Sequence, residues 1–223
     1  PVMVALTHGH IDHAGGMDQF EEVYLHPADF AMAQAVTPEE RGGYVDTMLS
    51  MSDGIYSVTR YDVVVPKTRA RLLPLQGGTY LHLGNRDVMV FDTPGHTPGG
   101  LSYLDKKERL LFSGDACNMN TLLAAMGQPA TERTCVTALK QTAEKLEALH
   151  PYYDRHYNGH IGYADAKSCM PMPECLVRDC IALCENLLAG TIVGEKVENP
   201  FCGECRLARN NTMQIVYRDD QVK

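Results

Sequence analysis

The sequence predicts a mixed α/β fold, and three observations predict it. Short apolar runs rich in β-branched residues, at 2–6 and 88–92, alternate along the chain with segments of helical period. The turn signals Asn85-Arg86-Asp87 and Lys106-Lys107-Glu108 separate strand-like runs at 79–83, 88–92, 101–104 and 109–113. Two later segments, 134–149 and 174–189, carry clean apolar stripes at i, i+3, i+4 and i+7. With 223 residues, 44% of them hydrophobic, the chain holds the apolar material for one sizeable core, so one domain over 1–223 is expected.

Taken in order, Pro1-Val2-Met3-Val4-Ala5-Leu6 reads as a buried strand running directly into Thr7-His8-Gly9-His10-Ile11-Asp12-His13-Ala14-Gly15-Gly16, with a helix from about 14. Glu22-Val23-Tyr24-Leu25 reads as the next strand, and 28–35 and 38–52 as helical. The stretch 37–75 has no single period. Its Gly42-Gly43, Tyr44, Met48, Met51, Tyr56 and Tyr61 suit either a packed helix pair or a connection that caps a site and touches substrate. Helix 134–149 lines up Val136, Leu139, Ala143, Leu146 and Leu149 and stops before Pro151. Asp154-Arg155-His156-Tyr157 is strand-like. Helix 174–189 carries Leu176, Val177, Cys180, Ile181, Cys184, Leu187 and Leu188 and should pack on a sheet; Met213-Gln214-Ile215-Val216-Tyr217 reads as a final strand.

Composition excludes several classes. A net charge of −8 with scattered basic residues lacks the footprint of a nucleic-acid binder. No run approaches the roughly 18 apolar residues of a membrane span, and the first thirty residues lack signal-peptide order, so a soluble, cytoplasmic protein is expected, with no membrane partner. Neither repeats nor low-complexity tracts are present. Eight cysteines, six of them from Cys169 to Cys205 with one Cys202-x-x-Cys205, are read as reduced core filler rather than disulfides or a zinc ribbon, which needs two such pairs. Cys117 is read the same way, and His26, His82, His150 and His156 as structural or surface histidines.

The chemistry concentrates elsewhere. Three of nine histidines, with Asp12, fall between positions 8 and 13. Imidazole and carboxylate are the donors that Zn²⁺ and similar cations accept, and four donors in six residues cannot all reach one ion from one rigid element. In an extended stretch His8 and His10 share a side; if a helix follows, Asp12 and His13 leave in another direction.

His8-x-His10-x-Asp12-His13 resembles the signature of the metallo-β-lactamase-fold hydrolase superfamily. Three further family motifs follow in order: Asp92-Thr93-Pro94-Gly95-His96, Ser113-Gly114-Asp115 and Asn158-Gly159-His160. Together they span residues 1 to about 165, and the Cys-rich part 166–223 is not diagnostic. The resemblance implies a four-layer αβ/βα sandwich with metals at the edge of two sheets. It implies that His8, His10 and His96 hold one metal, that Asp12, His13 and His160 hold a second, and that Asp115 bridges them. Two zinc ions are expected, with iron or manganese as substitutes. Such a pair shares a water and brings its pKa from about 15.7 toward 7, making a hydroxide nucleophile that Asp12 would orient. No Gly-x-Ser-x-Gly elbow competes.

Departures from the family pattern narrow the branch. Position 10 is His rather than the acid of flavodiiron-type members, and position 115 is Asp rather than the zinc-binding Cys of many true β-lactamases. The set looks most like the glyoxalase-II or lactonase-type branch, implying hydrolysis of a small thioester, ester or lactone. A phosphodiesterase on the same metals and a non-catalytic metal-binding domain are the alternatives. Similar hydrolases carry several strands before the first histidine motif, so the sandwich is expected to be completed by an N-terminal segment or by a partner such as a second copy of the chain.

Overall fold

A computed structural model describes residues 2–51, 54, 57–64, 67–123, 125–160 and 170–223. They form two compact units, 1–75 and 76–223.

The first unit is built around the strand β1 (Glu22–Leu25), whose Val23 and Leu25 are buried. It pairs in parallel with β2 (Arg71–Pro74), in the register Val23↔Leu72. On its other side β1 takes the expected strand at 2–6, which is an extended segment with a single bridge, Ala5↔Tyr24. Leu6 N donates to Tyr24 O at 2.9 Å and Tyr24 N to Val4 O at 2.9 Å. The helix expected from about 14 is instead one turn, α1 (Ile11–Ala14), followed by a 3₁₀ turn at Met17–Gln19. The glycine pair 15–16 ends it, because backbone freedom at two successive positions removes helix propensity.

Helices α2 (Phe30–Ala35) and α3 (Pro38–Met51) follow. Reciprocal bonds open α3: Thr37 N donates to Glu40 Oε2 at 2.7 Å and Glu40 N to Thr37 Oγ1 at 3.2 Å. Met48, Met51 and Tyr61 are exposed, and Tyr56 lies outside the described residues. The unit's small core joins Ala14, Met17, Val23, Leu25, Ala33 and Ala70. Beside it the buried Asp18 gathers Arg41 (3.4 Å), Arg69 (3.2 Å) and the amide of Ala70 (3.0 Å), tying α3 and the approach to β2 to the 3₁₀ turn.

The second unit contains two sheets. The five-stranded sheet comprises β3 (Tyr80–His82), β4 (Asp87–Asp92), β5 (Leu101–Asp105), β6 (Leu110–Phe112) and β8 (Arg155–Tyr157), in spatial order 3-4-5-6-8. The first four run antiparallel, and β8 joins parallel to β6 with Leu111 opposite His156. β5 is buried along its whole length, as a central strand covered on both faces must be. The four-stranded sheet has the order β7 (Asn120–Leu122), β11 (Gln214–Tyr217), β10 (Gly203–Arg209), β9 (Glu195–Asn199).

Helices α4 (Val136–Ala148) and α5 (Leu176–Leu188) share one core with both sheets. Leu139, Ala143 and Leu146 meet Leu176, Cys180 and Leu183 beside Leu104, Leu111 and Ile215, all with 3% exposure or less. Both helices, β1, the β3–β6 series, β8 and β11 lie within a residue or two of the ranges read from the sequence. β2, β7, β9 and β10 were not anticipated. No helix among the described residues is long and apolar enough to cross a membrane.

Candidate functional site

In the first unit the histidine-rich motif starts where the extended segment 4–6 leaves β1. Gly9 separates His8 from His10, and its amide donates to Asp29 Oδ2 at 3.0 Å. A Cβ at this position would lie 2.8 Å from the Asp29 carbonyl oxygen, so only glycine allows this approach. His10 is the extended residue (φ −66°, ψ 154°) before α1, and its carbonyl accepts from Ala14 N at 2.7 Å.

The single turn of α1 then brings His13 back beside His8. Their ring centroids are 4.0 Å apart, nearer than the 4.9 Å between His8 and His10, whose planes cross at 87°. Asp12 Oδ2 lies 3.5 Å from His13 Nε2. Alternation alone paired His8 with His10; the helical turn is what adds His13. His8 and His10 are buried, whereas Asp12 is exposed.

In the second unit β4 delivers the loop that carries His96, and α4 fastens that loop by its carbonyls. Thr142 Oγ1 donates to Pro94 O at 2.6 Å, and Lys145 Nζ donates to Asp92 O. Just before α4, Arg133 Nε donates to Pro98 O at 2.6 Å. Burial pushes the Lys145 ammonium pKa down. Gly95 (φ 142°) lies against the α4 backbone, where a Cβ would be 3.1 Å from Leu139 Cα.

His96 Nδ1 is 2.6 Å from Leu122 O. A carbonyl only accepts, so Nδ1 carries the hydrogen and Nε2 presents a lone pair, the tautomer a metal ligand requires. Nε2 lies 3.6 Å from Asp115 Oδ2.

Asp115 sits in the 3₁₀ turn Gly114–Ala116 that ends β6, with Gly114 in the left-handed region (φ 53°). β8, alongside β6, leads to Asn158-Gly159-His160, where the Asn158 side chain accepts from His160 N at 3.0 Å. His160 Nε2 lies 2.9 Å from Asp115 Oδ2. Asp115 therefore stands between two imidazoles of its own unit.

Among the described residues, His26, His82, His150 and His156 stand outside these donor sets. His26 Nδ1 accepts from Ala28 N at 3.1 Å, and His82 pairs at the surface with Asp87 at 2.7 Å. His156 is buried, its pKa pushed down to about 4 by that burial, and its Nε2 is 2.7 Å from Ser113 Oγ. The seven described cysteines are free thiols, while Cys169 lies outside the described residues. Hydrogen bonding with Cys117 and Cys184, together with burial, raises the Cys180 thiol pKa well above its ordinary value; burial pushes Cys202 up to about 12.

Each of the seven ligands read from the sequence thus belongs to a donor set inside its own unit: His8, His10, Asp12 and His13 in the first, His96, Asp115 and His160 in the second. The residues that aim them were not found by sequence reasoning. Asp29, Thr142 and Lys145 act on backbone atoms, and nothing in a linear sequence marks which carbonyl or amide a side chain will meet.

Residues 2–153 match the family model of the metallo-beta-lactamase superfamily. The chain is 35% identical over 132 residues to the acyl-coenzyme A thioesterase MBLAC2 of Bos taurus, covering 55% of this chain and 44% of that one; the Homo sapiens protein gives the same values. It is 31% identical over 120 residues to the probable metallo-hydrolase YqgX of Bacillus subtilis (strain 168), covering 52% of this chain and 49% of that one. It therefore spans less than half the length of these curated relatives. Among solved structures, a metallo-beta-lactamase family protein from Thermus thermophilus superposes at TM-score 0.52 and 23% identity, covering 84% of this chain and 62% of that one. A beta-lactamase domain protein from Burkholderia ambifaria superposes at TM-score 0.56 and 16% identity, covering 86% and 58%. These likenesses show the fold, and a family match over two thirds of the sequence, taking in both the His8–His13 motif and Asp115, shows that this chain belongs to the metallo-beta-lactamase superfamily.

Proposed function

We propose that this chain carries the centre of a dinuclear, metal-dependent hydrolase that cleaves a small thioester, with esters and lactones as the neighbouring substrate classes. The observation that carries the reading is the full family ligand set, arranged as two donor clusters: His8, His10, Asp12 and His13, and His96, Asp115 and His160. Imidazoles and carboxylates in this ratio fit borderline divalent ions, zinc first. The His96 tautomer fits the same purpose.

In this reading His8, His10 and His96 would hold one ion, Asp12, His13 and His160 the other, and Asp115 would contribute to both. Bound there, the ions would supply an acidified water and polarise the acyl oxygen. The chain's own residues do the positioning. Leu122 O fixes which His96 nitrogen carries the hydrogen, and Asp29 fixes the backbone between His8 and His10. Asp12, exposed beside His13, would orient such a water by accepting a hydrogen bond from it. The thioesterase name borne by the MBLAC2 relatives supports ranking thioesters ahead of the other acyl substrates.

The test joins metal analysis to a substrate panel of an acyl-coenzyme A, lactoyl-glutathione, an acyl-lactone, nitrocefin and bis-nitrophenyl phosphate. About two transition-metal ions per chain and turnover concentrated on the thioesters are expected, with both lost in His8→Ala and Asp115→Ala. Protein without stoichiometric metal, or variants that bind metal like the parent, would sink the proposal; turnover confined to the phosphodiester would replace it.

A further inference from the structure

His156 is the residue that the reading above leaves unused. It faces the core from the middle of β8, opposite Leu111 of β6, with 4% of its surface exposed. An imidazole placed there loses its hydration, and an apolar side chain would fill the position at less cost unless the ring's hydrogen bond matters.

The ring's one hydrogen bond among the described residues is to Ser113 Oγ at 2.7 Å, and Nδ1 meets no partner there. Ser113 Oγ is also 3.2 Å from Gly114 O and 3.2 Å from Cys117 O, which only accept. Its one hydroxyl hydrogen therefore goes to those carbonyls, and the imidazole donates through Nε2. The alternative tautomer would bury an N–H with nothing to receive it. The carbonyls of Gly114 and Cys117 lie within and just beyond the turn that presents Asp115, and Ser113 N is held by Tyr157 O of β8 at 2.9 Å. β8 in turn leads, four residues after His156, to His160.

We infer that His156 is a positioning residue: by donating to Ser113 it directs the serine hydroxyl onto the turn carbonyls, and so sets Asp115 against the strand that delivers His160. The inference rests on the reading of Asp115 and His160 as metal ligands.

The experiment is zinc binding to the purified full chain by competition with a chromophoric chelator, at a temperature far below the melting transition, for His156→Phe, His156→Gln, Ser113→Ala, the double variant H156F/S113A and Asp115→Ala. Loss of a partner that orients a ligand typically costs about 10- to 100-fold in metal affinity, and that is the loss expected for H156F and S113A. The double variant should lose no more than the worse single, because both act through one link. H156Q, whose amide N–H can donate to Ser113, should recover most of the affinity. A role in packing alone would lower the melting temperature of H156F and leave zinc affinity at the parental value, which overturns the inference; so do additive losses in the double variant. If H156F does not fold, parental affinity in S113A overturns it equally. If D115A binds zinc like the parent, the ligand assignment fails first and the inference falls with it; weak binding by D115A beside parental binding by H156F refutes the positioning role alone.

Discussion

Gly9→Ala is a sharp perturbation of the first unit, placed between two of its histidines. The added methyl would sit 2.8 Å from Asp29 O, 3.1 Å from Asp29 Cβ and 3.3 Å from Ala33 N, about 0.6 Å inside ordinary contact with a backbone atom. Neither the Asp29 carbonyl nor α2 can swing aside like a surface side chain, so the backbone between His8 and His10 must move. Overpacking of this kind costs about 1–3 kcal/mol. For a chain of this length, at about 2–4 °C per kcal/mol, that is a melting temperature lower by roughly 2–12 °C. Gly43→Ala supplies the opposite sign within the same unit. It lies inside α3 with nothing within 4 Å of its added Cβ, and replacing a helical glycine there should stabilise by about 0.5–1 kcal/mol. Thermal unfolding followed by circular dichroism, on both variants and the parent, decides the matter. Parent-like melting of G9A, or G43A melting below G9A, would refute the steric argument and with it the account of why a glycine separates the two histidines.

Thr142→Val keeps the shape of a buried side chain but deprives Pro94 O of its donor, and should cost about 1–3 kcal/mol in urea unfolding. Asp105 titrates below the usual carboxylate range: burial raises its pKa, but the amides of Glu108 and Lys107 and the Arg86 guanidinium together outweigh it. Its contribution to stability is therefore complete above the unfolded value of about 3.9 and is lost as pH falls through the lower folded value. Asp105→Asn should accordingly flatten the decline of urea midpoints between pH 5 and pH 2. The buried thiols of Cys117 and Cys180 should resist a thiol reagent at pH 8 in folded protein and react promptly in denaturant; fast labelling of native Cys180 would contradict its raised pKa.

What was legible in the sequence is what repeats or clusters. Helices α4 and α5 announce themselves because one face of each meets the shared core at helical spacing, and the β3–β6 series because its turns are chemically marked. β9 escaped because Glu195-Lys196-Val197-Glu198-Asn199 is a charged sheet edge with a single apolar side chain, the composition that keeps edges from pairing further. β7 is three residues long, and β2 ends in a proline; both pair in parallel with strands distant in sequence, which no local pattern encodes. The candidate ligand residues stood out because His and Asp at short spacing are rare. Their aim was not, since it depends on Asp29, Leu122 O and the carbonyl bonds of α4, contacts made across tens of residues.

Gln221, fully buried near the end of the numbering, donates its side-chain amide to Leu123 O at 2.6 Å and to Thr134 O at 2.9 Å. Leu123 is the immediate neighbour of Leu122, whose carbonyl chooses the His96 tautomer. Gln221 therefore buttresses the backbone against which the His96 imidazole is oriented, although it lies about a hundred residues further along the chain. A protein lacking Gln221, or carrying a change that pulls on this segment, would reach the assay with that support altered while all seven candidate His and Asp residues are intact. Weak activity from such a preparation would report the handling of residues 221–223 before it reported anything about substrate.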